Sequence, residues 1–256
     1  MSEVVLLDVS ERIATVTLNR PEARNALSSE VLRSLPKVMA EADGRDDVDV
    51  VVLTGTDPAF CAGLDLKELG TPGANLGGAV PPDQRGPFPP MTKPVIGAIN
   101  GVAVTGGLEL ALNCDLLVAS TRARFGDTHA RVGLLPGWGL TVLLAQAVGV
   151  RRAREMSWTG NFLTADDALV AGLVNHVVEH DDLLPFTRRL AADVAGNEQD
   201  AVRQLKRTYA AVAEATVEEG WRIEAADARA WRARGFDPTE VARRRDKIMT
   251  RGRTQT

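Results

Sequence analysis

The sequence predicts an α/β protein with a C-terminal helical region. Two patterns carry that prediction. Short, continuous apolar runs alternate with helix-like segments in the first half, and from Leu140 onward the periodicity is mostly helical. A strand buried on both faces needs a continuous apolar run, and strands separated by helices join through right-handed crossovers. The chain has 256 residues, 45% of them hydrophobic, so it can bury a sizeable core without disulfides or metal.

Element by element, Val4–Val9 and Ile13–Leu18 are rich in β-branched residues and flank the polar turn Ser10-Glu11-Arg12, the pattern of a hairpin. Pro21 and Asn25 break the pattern. Ser28 or Ser29 then caps a helix reaching about Ala42, with Val31, Leu32, Leu35, Val38 and Met39 on one face and Pro36 as an expected irregularity. Asp49–Thr54, Pro94–Ile99 and Asp115–Ala119 read as buried strands. The stretch 70–90 is rich in Gly and Pro without periodicity and is expected to be a lid or pocket wall. Helices are expected over 139–149, 151–158, 164–170, 182–195, 198–215 and 217–233, with a strand at about Leu173–Val178. The run Arg243-Arg244-Arg245-Asp246-Lys247 reads as a solvated helix face, with phosphate contact as the alternative. The domain organisation expected is a core over 1–195 and a helical region over 196–256.

Composition excludes several functions. Lys plus Arg total 30 against 34 Asp plus Glu, a net charge of −4 that argues against a nucleic-acid partner. Aromatic residues make up 4% with a single Tyr, too few for stacking platforms. Cys61 and Cys114 lack a CxxC spacing, and His129, His176 and His180 do not make a zinc site unaided, so no metal is expected. The N-terminus carries acids where a signal peptide needs bases, and no apolar run approaches the ~20 residues of a membrane span. A soluble, cytoplasmic protein is expected.

Two stretches carry chemistry. In Thr105-Gly106-Gly107-Leu108-Glu109, glycines precede a helix whose first N–H groups favour developing negative charge, the requirement of an oxyanion hole. Glu109 sits beside those donors, either as a first-turn acid or as a general base. Ala59-Phe60-Cys61-Ala62-Gly63-Leu64-Asp65 follows a strand, at the end where α/β folds place ligands; its plainer reading is a tight turn with Asp65 as a cap.

Together these stretches resemble the crotonase (enoyl-CoA hydratase/isomerase) superfamily. The resemblance begins at Asn19-Arg20-Pro21-Glu22-Ala23-Arg24-Asn25-Ala26-Leu27. It continues through AFCAGLDL, KPVIGAINGVAVTGGLELALNCD and ARFGDTHARVGLLPGWG, and ends near AGLVNHVV. It implies a crotonase-like β/α spiral core, a C-terminal region used in assembly, and a homotrimer or a hexamer built as a dimer of trimers. It also implies an acyl-CoA substrate, with coenzyme A as part of the substrate and no separate cofactor.

Position by position, the resemblance makes the Leu64 and Gly106 N–H groups the oxyanion hole. It puts Ala62 along the CoA adenine and Arg24 near the CoA phosphates, where a plain surface arginine is the alternative. Glu109 matches the first catalytic glutamate. Where hydratases of the family typically carry a second glutamate, this chain has His129, which either completes the acid/base pair or merely lines the pocket. Asp127 reads as a cap of the next turn, or as a group orienting that imidazole. The Gly137 N–H is expected to help hold the reacting water. Trp138 is expected to narrow the acyl pocket, or else to pack at a subunit contact. His176 reads as structural, His180 as a helix-start residue, and Cys61 as non-catalytic. The activity implied is enoyl-CoA hydration. The alternatives are double-bond isomerisation or other enolate chemistry by Glu109 alone, and a non-catalytic acyl-CoA-binding protein. A serine-peptidase relative is set aside, because no serine lies in the glycine-rich turn before Glu109.

Overall fold

Among the described residues the chain forms ten strands and eleven α-helices. The computed structural model describes residues 4–71, 85–235 and 238–254; most of the expected lid, residues 72–84, lies outside the described residues. Strands β1 (Val5–Ser10) and β2 (Ile13–Leu18) form the antiparallel hairpin. Glu11 and Arg12 take φ of 52° and 63°, the left-handed turn whose twist matches the strands. Helix α1 (Ser29–Gly44) starts at the expected cap, where Ser28 accepts from the Val31 N–H at 3.3 Å, and runs through Pro36. It buries Val31, Leu35, Met39 and Ala42. The buried Lys93 ammonium donates to the Ala42 carbonyl at 3.0 Å, placing a cation at the negative end of that helix.

Three similar units follow, each a longer strand, a three-residue strand and a short helix. They are β3 (Val50–Gly55), β4 (Ala59–Cys61) and α2 (Leu66–Leu69); β5 (Val95–Ile99), β6 (Val102–Val104) and α3 (Gly106–Leu112); and β7 (Leu116–Ser120), β8 (Arg124–Gly126) and α4 (His129–Val132). Next come α5 (Leu140–Val148), α6 (Val150–Thr159), β9 (Phe162–Thr164), α7 (Ala165–Val170), β10 (His176–Val178) and α8 (Leu183–Ala195). The longer strands and the three-residue β10 form a six-stranded sheet, β1-β2-β3-β5-β7-β10, parallel from β2 onward. The other short ones form a second sheet, β4-β6-β8-β9, with only β9 antiparallel.

The core explains why β3 and β5 read as unbroken apolar runs. Val50, Val52, Ile96, Ala98 and Val118 pack with Leu183 and Ala191 of α8. The alternate residues Val51, Leu53, Val95 and Ile99 join Phe60, Leu108, Leu110 and Phe125 in the other cluster. Period-two alternation thus serves two apolar faces. Each fully buried Val or Ile contributes about 1.5–3 kcal/mol relative to exposure.

The expected strands and helices appear within a few residues of their predicted limits. The three-residue strands of the second sheet were not foreseen, since a period of two needs four or more residues to show itself. The chain divides into two compact units, one ending at Arg203 and the other running from Gln204, a cut that falls inside α9 (Gln199–Ala213). In the second unit, α10 (Val217–Ala233) begins with a capping box between Thr216 and Glu219. Helix α11 (Pro238–Thr254) carries the charge run 243–247, with Arg244 and Arg245 exposed.

Candidate active site

Strands β4, β6 and β8 are parallel neighbours, and each ends in a turn leading to a short helix. The predicted chemistry sits in those three turns, at the carboxyl ends of the strands.

The first turn is Ala62–Asp65. Leu27 pairs beside it: the Leu27 N–H donates to Gly63 O at 2.7 Å, and the Asp65 N–H donates to Leu27 O at 3.1 Å. That ladder uses the residues on either side of Leu64 and leaves its N–H out. Asn25 anchors the neighbouring chain. Its buried amide donates to Thr56 O at 2.7 Å and Ala59 O at 2.6 Å, while its Oδ1 accepts from the Arg20 N–H at 2.8 Å. The Arg20 guanidinium pairs with Asp65 at 3.0 Å and donates to Ala26 O. Asp65 is thus the expected cap, accepting from the Lys67 N–H, and a clamp as well. Burial pushes the Asp65 carboxyl up, but these hydrogen bonds prevail and hold it below the usual range. Gly63 has φ +84°, and a Cβ there would lie 2.7 Å from Thr105 Oγ1, so only glycine fits.

The second turn abuts the first. Thr105 takes φ 51° and ψ −115°, a strained conformation for a β-branched residue. Gly106 opens α3, so its N–H has no partner within the helix. A Cβ at Gly106 would stand 3.9 Å from Gly63 Cα, 3.0 Å from Leu27 Cδ1 and 3.4 Å from the Trp138 indole. At Gly107 a Cβ would meet Cys61 O at 2.1 Å, which holds the two turns at glycine distance. Burial drives the Cys61 thiol up to about 12, which removes it as a nucleophile at neutral pH.

The third turn brings His129 to Glu109. Glu109 is 3% exposed, and its Oε1 accepts from the N–H groups of Gly137 at 3.1 Å and Trp138 at 2.7 Å. Its Oε2 lies 3.6 Å from His129 Nε2. On the far side of the ring, Nδ1 is 2.7 Å from Asp127 Oδ1, which also accepts the His129 main-chain N–H at 3.2 Å. Asp127 therefore both caps the turn and holds the imidazole. Burial pushes the Glu109 carboxyl above its ordinary value, partly offset by the Trp138 N–H and by His129. For Asp127 the balance is reversed: burial raises it, but hydrogen bonds from His129 and Ser157 win and the net direction is down.

The structure brings the expected residues together. Glu109, His129, Gly137 and Trp138 form one cluster, and the Leu64 and Gly106 turns form its neighbour. Arg24 and Ala62 meet through the Ala62 N–H, which donates to Arg24 O at 3.1 Å; the Arg24 side chain is exposed. The Gly137 N–H, expected to hold water, is given to Glu109. The Trp138 N–H was not foreseen as a Glu109 donor. Nor was Asn113, whose amide donates to both Glu109 O at 2.8 Å and Trp138 O at 3.0 Å. Main-chain donors have no residue signature, and Asn25 and Thr105 showed in the sequence only as a turn former and a polar neighbour of glycines. His176 packs against Phe186 with the rings tilted by 58° and their centroids 4.9 Å apart, and His180 starts a 3-10 turn.

Repeated strand–strand–helix units with two adjoining glycine turns beside a buried glutamate are the arrangement of the crotonase fold class. Residues 8–230 match the enoyl-CoA hydratase/isomerase family, and the chain belongs to it. A probable peroxisomal enoyl-CoA hydratase 1 of Arabidopsis thaliana is 43% identical over 197 residues, 76% of this chain and 73% of that protein. The short-chain-enoyl-CoA hydratase of Clostridium acetobutylicum is 37% identical over 207 residues, 79% of each. Among solved structures, an enoyl-CoA hydratase from Mycobacterium tuberculosis H37Rv shares 55% identity with TM-score 0.76, covering 90% of this chain and 99% of that one. One from Mycobacterium marinum shares 31% with TM-score 0.85, covering 96% and 97%. Among the described residues, no helix is long and apolar enough to cross a membrane.

Proposed function

We propose that the protein hydrates a 2-enoyl-CoA thioester, using Glu109 and His129 as its acid/base pair. The observation that carries this reading is the 3.6 Å approach of His129 Nε2 to Glu109 Oε2, beside the Leu64 and Gly106 turns. The thioester oxygen accepts from the Leu64 and Gly106 N–H groups, which stabilise the enolate as it forms; one such donor is worth about 100- to 1000-fold in kcat. Two backbone donors occupy Glu109 Oε1 and leave Oε2 to face the imidazole and the reacting water. One member of the pair takes a proton from water as its oxygen bonds to the β-carbon. The other delivers a proton to the α-carbon, and exchange between the two resets the site. The reaction consumes substrate and water alone.

Ala62 and the exposed Arg24 flank the entrance used by the CoA moiety, and Trp138 walls the acyl end beside Gly106. Assembly into a homotrimer or hexamer through the region 196–256 fits the exposure there of Tyr209, Val217 and Trp221, apolar side chains of a kind that interfaces cover.

Turnover of a short 2-enoyl-CoA by wild type, Glu109→Gln and His129→Ala tests the mechanism. Loss of hydration in both variants is expected, and a wild-type rate in His129→Ala overturns the pair. A 3-enoyl-CoA converted without uptake of solvent oxygen would assign isomerisation by Glu109 alone. Tight acyl-CoA binding with no product would assign a binding protein.

A further inference from the structure

We propose that Asp127 is a positioning residue, whose carboxylate fixes the Nδ1–H tautomer of His129 and so presents Nε2 to Glu109. The proposal rests on reading Glu109 and His129 as the acid/base pair. One oxygen, Asp127 Oδ1, holds both the ring at 2.7 Å and the main-chain N–H of the same residue at 3.2 Å. A turn cap requires only the second contact; the first fixes the rotation of the imidazole.

Asp127 is 2% exposed, and the Ser157 hydroxyl of α6 joins His129 in lowering its carboxyl. Its hydrogen bonds keep it in the ionised form despite burial. An ionised carboxylate has no hydrogen to give, so Nδ1 must carry one. In the opposite tautomer two lone pairs would face each other at 2.7 Å in a buried site. Nε2 is then the nitrogen left to exchange protons, and it is the one that faces Glu109 Oε2. Among the described residues, the ionisable groups facing the ring are Asp127 from its own turn and Glu109 from α3. The nearby Arg131 is turned away, donating to Thr159 O and Asn161 Oδ1.

The chain has three histidines, so nitrogen-15 spectra of the imidazoles are assignable by comparison with His129→Ala. Ring signals of wild type, Asp127→Asn, Asp127→Glu and Ser157→Ala are recorded with kcat and KM on a short 2-enoyl-CoA. Wild type is expected to show hydrogen on Nδ1. Asp127→Asn, whose amide can donate to Nδ1, is expected to populate the Nε2–H tautomer. Its kcat should fall by at least ~10-fold with KM within about twofold, because the fault lies in proton transfer and not in binding. Asp127→Glu should restore the tautomer and part of kcat, a rescue that a purely structural role would not give. An Nε2–H tautomer in wild type overturns the proposal even if Asp127→Asn fails to fold, and so do unchanged ring signals in a folded Asp127→Asn. A tautomer that switches in a protein unable to hydrate any enoyl-CoA overturns the hydratase reading instead.

Discussion

Two histidines at strand ends, each beside an aspartate, show how differently the two sheets use their carboxyl edges. At the end of the six-stranded sheet, His180 has both ring nitrogens engaged, Nδ1 with the fully buried Ser120 Oγ at 3.0 Å and Nε2 with Asp57 at 3.0 Å. Asn100 holds the other Asp57 oxygen at 2.9 Å, and Ser120 accepts the Arg122 N–H. That ring is a tie between β7 and the loop after β3. At the end of the four-stranded sheet, His129 is tied on one side only, and its second nitrogen stands 3.6 Å from a carboxyl that burial has pushed up. A saturated histidine secures the fold, and a half-saturated one retains a nitrogen for chemistry.

The largest expected effects break this comparison directly. His129→Ala should lower kcat on a short 2-enoyl-CoA by about 100- to 10,000-fold, the range of general acid–base catalysis, and should also lower stability by about 1–3 kcal/mol as the buried Asp127 carboxylate loses a partner. His180→Ala should cost stability alone: about 1–3 kcal/mol in urea titration, as the buried Ser120 hydroxyl loses a partner, with kcat within about twofold. Equal kinetic losses in the two variants would erase the distinction.

Next in size is the packing between the turns. Gly107→Ala drives a Cβ into the Cys61 carbonyl, so a loss of about 1–3 kcal/mol is expected together with a fall in kcat as the Leu64 and Gly106 turns separate. Gly133→Ala is the control for strain alone, since a Cβ there meets nothing within 4 Å, and it should leave kcat unchanged.

The same contrast explains what the sequence made legible. The six-stranded sheet announced itself because β3 and β5 are buried on both faces and must be continuously apolar. The four-stranded sheet, which carries the site, has three-residue strands that leave no periodic trace. Glu109, His129 and the two glycine turns were found because motif and position made them visible. The donors that orient Glu109, from Gly137 and Trp138, are main-chain groups, and no side chain at those positions advertises them. Asp127 was readable as a cap or as a group orienting the imidazole, and the choice depends on a rotamer that sequence does not encode.

A moderate effect concerns pH. Because burial raises the Glu109 carboxyl in the folded state, folding favours its protonated form, and its contribution to stability is lost as pH rises through that raised value. Glu109→Gln removes the cost of the buried charge. Its melting temperature should exceed wild type by a few degrees at neutral to alkaline pH, on a scale of about 2–4 °C per kcal/mol, and the gap should close on acidification. A gap that widens in acid would reverse the assignment. The smallest effect is at Arg24: its removal should raise KM about two- to fivefold at low salt, less at high salt, with kcat unchanged, as an exposed charge acting on a phosphate requires.

The account stands on Glu109 and His129 acting as one unit. A double-mutant cycle on kcat/KM with Glu109→Gln, His129→Ala and the double variant measures that directly. The predicted result is a double variant no slower than the worse single one, because either loss alone disables the shared proton transfer. Losses that multiply, or a His129→Ala enzyme as fast as wild type, would contradict it.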